Sequence, residues 1–503
     1  MKKNKALYRI LIVAGFLALF SGVLFGISQL LAYLNTGADR STMLHLDLER
    51  ENYYVPEVVW KSIENPGRPM KPANKDKIEQ DYLDAWFVKN QALLTGDDAG
   101  IYDHYTKSAR AKVRELISYN AGENISIEST TLSHHLTLDF YSADGTLAVL
   151  TDREVRGVEQ LYQNDEFIIQ REFNNDYRII LLLEDGFWRV RHFELLETHP
   201  IEESALVISD EIKNLAGLNY YPQDSPWDTF GENFDSSQIA TDFKVIQDLN
   251  LNTIRIFLSY KDFKISENSN EKMQRLKILL DQAEKADLKV MVTLFDFYGD
   301  YGIQDWTLTN SYLKNIVDHI KDHPAVYAWD IKNEPDLDYK SREKRKVNAW
   351  LSQTMTRLKE MDSIHPVTIG WSTAAAAINL ENQVDVVSYH YYKDLEDLSK
   401  THQELKSKTK KPIVLQEIGW SSYHGFWNPF GMDKEDQAEK YTEFFTTQKR
   451  DSINYLSWTL YDFEEVPSSV AGSRPWRVNK QKHFGLIATD GKKKPSYQSF
   501  KDQ

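Results

Sequence analysis

Two glutamates stand where short apolar runs end. Glu334 closes AVYAWDIKNEP in the tripeptide Asn333-Glu334-Pro335, and Glu417 follows Gln416 in KPIVLQEIGW. They are 83 residues apart, which is three strand-plus-helix units of about 28 residues in a repeating β/α chain. That spacing brings both carboxyls to one rim. Two carboxyl groups facing one cleft can cleave a glycosidic bond. One protonates the leaving oxygen, and the other attacks the anomeric carbon or activates water. The proline after Glu334 predicts an extended backbone at that residue, aligned with the strand as it leaves the sheet.

The elements that must position this pair are legible over the last 300 residues. Short apolar runs recur at 216–222, 252–258, 288–296, 325–335, 365–370, 384–392, 411–420 and 453–463. Helical periodicity lies between them, from a stripe of Ile239, Phe243, Ile246 and Leu249 onward through 271–286, 309–321, 341–361, 397–407, 434–449 and 496–501. Eight such units give a (β/α)₈ barrel, whose active sites lie at the C-terminal ends of the strands. A doubly wound sheet is the alternative. It is disfavoured because Gly217-Leu218-Asn219 is no phosphate-binding loop.

WDIKNEPD with the later LQEIGW resembles the clan A glycoside hydrolases, and family 5 (cellulase- and mannanase-like enzymes) in particular, over about 215–503. The resemblance implies a retaining β-glycoside hydrolase with Glu334 as acid/base and Glu417 as nucleophile. It implies that Asn333 bonds the sugar 2-hydroxyl. Arg255, placed at the end of the second strand in T-I-R-I-F, keeps Glu417 ionised. In the H-x-Y pattern of strand six, Tyr392 donates to Glu417 and His390 touches sugar hydroxyls. Trp458 is the aromatic platform under the cleaved sugar. The family commonly carries a histidine at the end of strand three, where this chain has Asp296; that residue either takes part of the role or caps a loop. Trp476, in the long segment 464–482, is a candidate for stacking on sugar. Glu334 must hold a proton near neutral pH, so burial and a neighbouring negative charge are expected to raise its pKa, while Glu417 stays charged. The His residues lack ligand spacing, so neither a metal nor a cofactor is expected.

The rest of the chain places the barrel. Lys2, Lys3, Lys5 and Arg9 precede a charge-free stretch from Ile10 to Ala38 with an apolar centre of 25 residues; a bilayer needs roughly 20. The expectation is a single-pass anchor with a cytoplasmic N-terminus and an extracellular remainder. A cleaved signal peptide is the rival, disfavoured by the length of the run. Residues 1–38 are then tip and anchor, 39–73 a proline-bearing stalk, 74–200 a small α+β domain and 201–503 the barrel. In the small domain, helices precede strands with hairpin signals at Asp144-Gly145 and Asp185-Gly186. That order resembles the cone-shaped nuclear-transport-factor-2-like fold and suggests a protein-docking role.

The net charge is −15, which argues against nucleic acid as partner. The absence of cysteine excludes disulfides and thiolate chemistry. The leading expectation is an anchored enzyme, endo-acting by the topology of an open aromatic cleft, on a surface or extracellular polysaccharide. A non-catalytic scaffold of a polysaccharide export system and a transglycosylase are the alternatives.

Overall fold

The structure, a computed structural model, describes residues 13–27, 54–66, 68–201, 212–264 and 269–503. The chain divides into two compact units, Met1–Ile201 and Glu202–Gln503.

Of the expected anchor, residues 13–27 are described, as an exposed helix. The flanks at 10–12 and 28–38 lie outside the described residues. Among the described residues no helix is long and apolar enough to cross a membrane.

The first unit holds a five-stranded sheet in the order β1-β2-β3-β4-β5. The strands are β1 Glu57–Ser62, β2 Ile125–Tyr141, β3 Leu147–Gln163, β4 Glu166–Glu184 and β5 Phe187–Thr198. β1 runs parallel to β2; the remaining neighbours are antiparallel. β1 falls inside the expected stalk, which is therefore not all linker. Its EVVWKS sequence is β-branched and aromatic, and this outweighs the prolines around it. The first long helix, Pro72–Thr95, starts at a proline and stops at Gly96, whose φ of +76° is left-handed. Tyr82 and Trp86 on that helix pack with Leu136, Leu150, Ile179 and Trp188 of the sheet. His134 is fully buried, with Nδ1 2.6 Å from Asp152. Tyr82 donates to the same carboxylate at 2.7 Å, so Asp152 joins helix and sheet inside the core.

The second unit is a closed barrel of eight parallel strands, β6 to β13 in chain order. They are β6 Ala216–Asn219, β7 Thr253–Ser259, β8 Lys289–Asp296, β9 Val326–Asn333, β10 Val367–Trp371, β11 Val387–Tyr391, β12 Ile413–Ile418 and β13 Asn454–Ser457. Their residues are almost wholly buried, as expected for strands covered on both faces. Two of the helices start on polar caps. Asp235 accepts from the amides of Ser237 and Gln238, and Asp433 forms a capping box with Asp436. The fifth unit departs from the β/α pattern: only a 3₁₀ turn, Ala376–Ile378, lies between β10 and β11. Alternation along β7 turns Thr253, Arg255 and Phe257 to one face, and Arg255 is completely buried. It lies inside the strand, not at its end as the sequence suggested.

Candidate active site

Arg255 organises the interior. Its Nη1 donates to Glu417 Oε1 at 2.8 Å and to Asn219 at 3.1 Å. Its Nη2 donates to Asp330 at 2.6 Å and to Asn333 at 2.8 Å. Its Nε donates to Thr293 at 2.9 Å and Asp330 at 3.0 Å. All five N–H groups are thus engaged, which fixes the guanidinium without rotational freedom. Asp330 is also satisfied: Thr293 donates to it at 2.7 Å and the Gly370 amide at 2.8 Å. Gly370 must lack a side chain. A Cβ there would stand 2.8 Å from Arg255 Nη2 and 2.7 Å from Gln416 Oε1.

Glu417 ends β12 with both oxygens held. Arg255 takes Oε1, and the Tyr392 hydroxyl donates to Oε2 at 2.9 Å. Burial of that hydroxyl and the charge of Glu417 push its pKa well above the ordinary value, so it remains a donor. Both oxygens of this carboxylate are thereby fixed in place.

Glu334 follows β9, and here the structure corrects two expectations. First, its backbone is left-handed (φ 47°, ψ 49°), not extended. Its amide donates to Gly370 O at 2.7 Å, and its carbonyl accepts from Leu337 at 3.1 Å. These two bonds impose the bend at a cost of about 1–2 kcal/mol. Second, its pKa is lowered. Burial alone would raise it, but the hydrogen bond and charge of His390, with Arg255 and Lys332 behind, outweigh burial. Nδ1 of His390 lies 2.8 Å from Glu334 and 3.4 Å from Glu417. His390 is therefore a brace between the two carboxyls. It is buried and is not among the residues that line the cleft above the pair.

The two glutamates present oxygens within 4.8 Å of each other. Retaining glycosidases separate their carboxyl groups by roughly 5–5.5 Å, and inverting ones by 6.5–9.5 Å. With His390 the pair could also ligate a cation, but the Arg255 guanidinium at 2.8 Å opposes a second positive charge there.

A cleft of about 650 Å³ opens above them, lined by Glu334, Glu417, Asn333, Asp296, Tyr392 and Trp458 among others. Asn333 accepts from Arg255 through its oxygen, which leaves its amide NH₂ as a donor. Trp458 meets Tyr221 and Phe257 edge-on, and those two rings stack at 4.9 Å. Trp476 departs from expectation. It stands half-exposed on the helix Pro475–Gln481 beneath Arg474 and is not part of the cleft lining. Asp330, Asn219, Thr293, Tyr221 and Lys332 were not singled out from sequence. For Asp330 and Lys332 the signal was present: charged residues inside the apolar run WDIKN.

Residues 212–464 match the family model described as cellulase (glycosyl hydrolase family 5), half of the chain. The chain belongs to glycosyl hydrolase family 5. Its relatives include the β-glucuronidase of Chlorocebus aethiops, 24% identical over 307 residues, covering 57% of this chain and 44% of that protein. The mannan endo-1,4-β-mannosidase A of Emericella nidulans is 24% identical over 210 residues, 33% of this chain and 54% of that one. Among solved structures, the exo-β-1,4-mannosidase Op5Man5 from Opitutaceae bacterium strain TAV5 aligns with a TM-score of 0.47 and 18% identity, covering 57% of this chain and 58% of that chain. The chain thus spans less than half the length of the β-glucuronidase it matches.

Asp296 of this family 5 barrel gives a test of burial. Burial raises its pKa from 3.8 to about 6, against the pull of Lys332 and Arg255. The folded protein then keeps a proton that the unfolded chain has released. Stability falls as pH rises from about 4 to about 6 and levels off above, by roughly 3 kcal/mol in all. Asp296→Asn is expected to raise the melting temperature at pH 8 and to leave it unchanged at pH 4. Thermal denaturation at both pH values checks this; an equal shift at both would contradict it.

Proposed function

We propose that this protein is a retaining β-glycoside hydrolase that acts endo-fashion on a cell-surface or extracellular polysaccharide. The observation that carries the reading is the approach of the Glu334 and Glu417 oxygens to within 4.8 Å above a shared cleft. Family membership supports it. The names of the relatives, mannanases and β-glucuronidases, point to β-linked sugars.

Glu417 is the nucleophile. Its charge is held by Arg255 and Tyr392, and it attacks the anomeric carbon. Glu334 is the acid/base. A proton carried by Glu334, whose carboxyl lies 2.8 Å from His390 Nδ1, goes to the departing oxygen. Forming the ester removes the charge of Glu417. Glu334 then loses a negative neighbour, its pKa falls further, and it takes a proton from the incoming water. Asn333 offers its NH₂ to a sugar hydroxyl, and Trp458 offers its ring face to the sugar. The test is a panel of β-glucans, mannans and mixed β-linked oligosaccharides, with reducing ends counted. Hydrolysis of at least one supports the reading; none, at enzyme concentrations that saturate the assay, overturns it.

The charge-free run from Ile10 to Ala38, flanked by lysines, supports a single-pass anchor with the barrel outside the cell. The order of elements in 74–200 supports a cone-shaped, nuclear-transport-factor-2-like docking module. The full chain is expected to sediment with membranes and to resist alkaline carbonate. Release of a soluble form beginning near Asp39 would contradict anchoring.

A further inference from the structure

The lining of the cleft sets three cations, Lys332, Arg477 and Lys480, among four carboxyls, Asp296, Glu334, Asp338 and Glu417. Lys332 is only 4% exposed yet lines the cleft. Among the described residues its ammonium has one acidic neighbour within ion-pair distance, Asp338 at 3.8 Å. That is beyond hydrogen-bond length. Asp338 is already taken by the Tyr301 hydroxyl. Lys332 is thus a buried cation short of hydrogen-bond acceptors, an arrangement that costs free energy unless a ligand completes it. Burial pulls its pKa down, while Asp338 and Asp296 hold it up.

On the segment after β13, Arg477 and Lys480 line the same cleft. They are three residues apart on the helix Pro475–Gln481, so they share a face. Both are exposed, and neither forms an ion pair among the described residues. The chain as a whole carries −15. Its long-range field repels anions, so an anionic ligand in the cleft would depend on these three local cations.

We propose that the cleft selects a glycan bearing anionic groups, with Lys332 and the Arg477–Lys480 pair receiving the carboxylate or sulfate of an acidic sugar. The inference rests on the glycosidase reading above and names its substrate class. Lys332 is a largely buried anchor beside the catalytic pair. Arg477 and Lys480 are exposed and act as a steering wall on longer chains.

The experiment uses the full chain and the oligosaccharide panel in three matched forms: neutral, oxidised at C6 to the uronic acid, and sulfated at C6. kcat/KM is measured for each form with wild type, Lys332→Met and Arg477→Gln/Lys480→Gln. The readout is the acidic-to-neutral ratio, in which any general loss of activity cancels. Wild type is expected to favour one acidic form by about tenfold or more, the scale of one charge-assisted hydrogen bond. The preference should shrink at 0.5 M salt and fall in both variants. Uronate above sulfate identifies a carboxylate ligand, and the reverse identifies a sulfate ester. A wild-type ratio near one, or a ratio that neither variant changes, overturns the inference while leaving hydrolysis intact. Should no form be cleaved, the glycosidase reading fails separately. Calorimetric binding of the same three forms to Glu417→Gln still reads the preference in that case, and equal affinity for all three overturns it.

Discussion

Glu417→Ala is expected to lower kcat/KM by roughly 10⁴–10⁶-fold, the scale on which removal of a covalent nucleophile acts. The loss is chemical, not structural. Glu417 is held by Arg255 and Tyr392, and its removal leaves Arg255 still paired with Asp330 at 2.6 Å. The interior positive charge therefore stays compensated, and the variant should fold. Azide at high concentration should restore part of the rate. A small anion fits the vacated space and attacks from the same face, giving a glycosyl azide of inverted configuration. A variant that keeps wild-type activity would remove Glu417 from the mechanism. Rescue with retained configuration would remove it from the face opposite the leaving group.

Glu334→Ala should behave differently, because an acid matters only when the leaving group needs a proton. For natural oligosaccharides the loss is expected at roughly 10²–10⁴-fold. For an aryl glycoside whose phenol is already acidic, glycosylation should be nearly untouched. The second step, which needs a base, then becomes limiting, so the variant should show a burst of phenol followed by a slow steady state. Equal losses on both substrate types would contradict an acid/base role. His390 adds a further distinction. Its Nδ1 touches both carboxyls, so His390→Ala disturbs the proton of Glu334 and the position of Glu417 together.

The residues that could be read from sequence are those that end barrel strands. Glu334, Glu417, Asn333 and Tyr392 stand just past apolar runs, where chemistry belongs in a barrel. The eight strands could be read for the same reason, since parallel strands buried on both faces are continuous apolar runs. The scaffold behind the pair was harder. Asp330 and Thr293 act only by satisfying Arg255, a three-dimensional role with no spacing of its own. The H-x-Y resemblance implies a sugar contact for His390. In the barrel His390 and Tyr392 do share a face, and both reach Glu417; the extra residue in the pairing of β11 with β12 is Gln416, on β12. Glu334 was expected to be extended because proline disfavours the helical region for its predecessor. The bonds to Gly370 and Leu337 override that local preference. Lys332 is marked in the sequence only by its place inside an apolar run, and in the structure by its burial.

The most direct test of the central claim is to trap the intermediate. A 2-deoxy-2-fluoro glycoside with an acidic leaving group, incubated with the wild-type protein, should form a stable ester. Peptide mapping by mass spectrometry should then place one sugar on Glu417 and none on Glu334 or Asp296. Label on Glu334 or Asp296, or first-formed sugar of inverted configuration with no covalent adduct, would contradict the account.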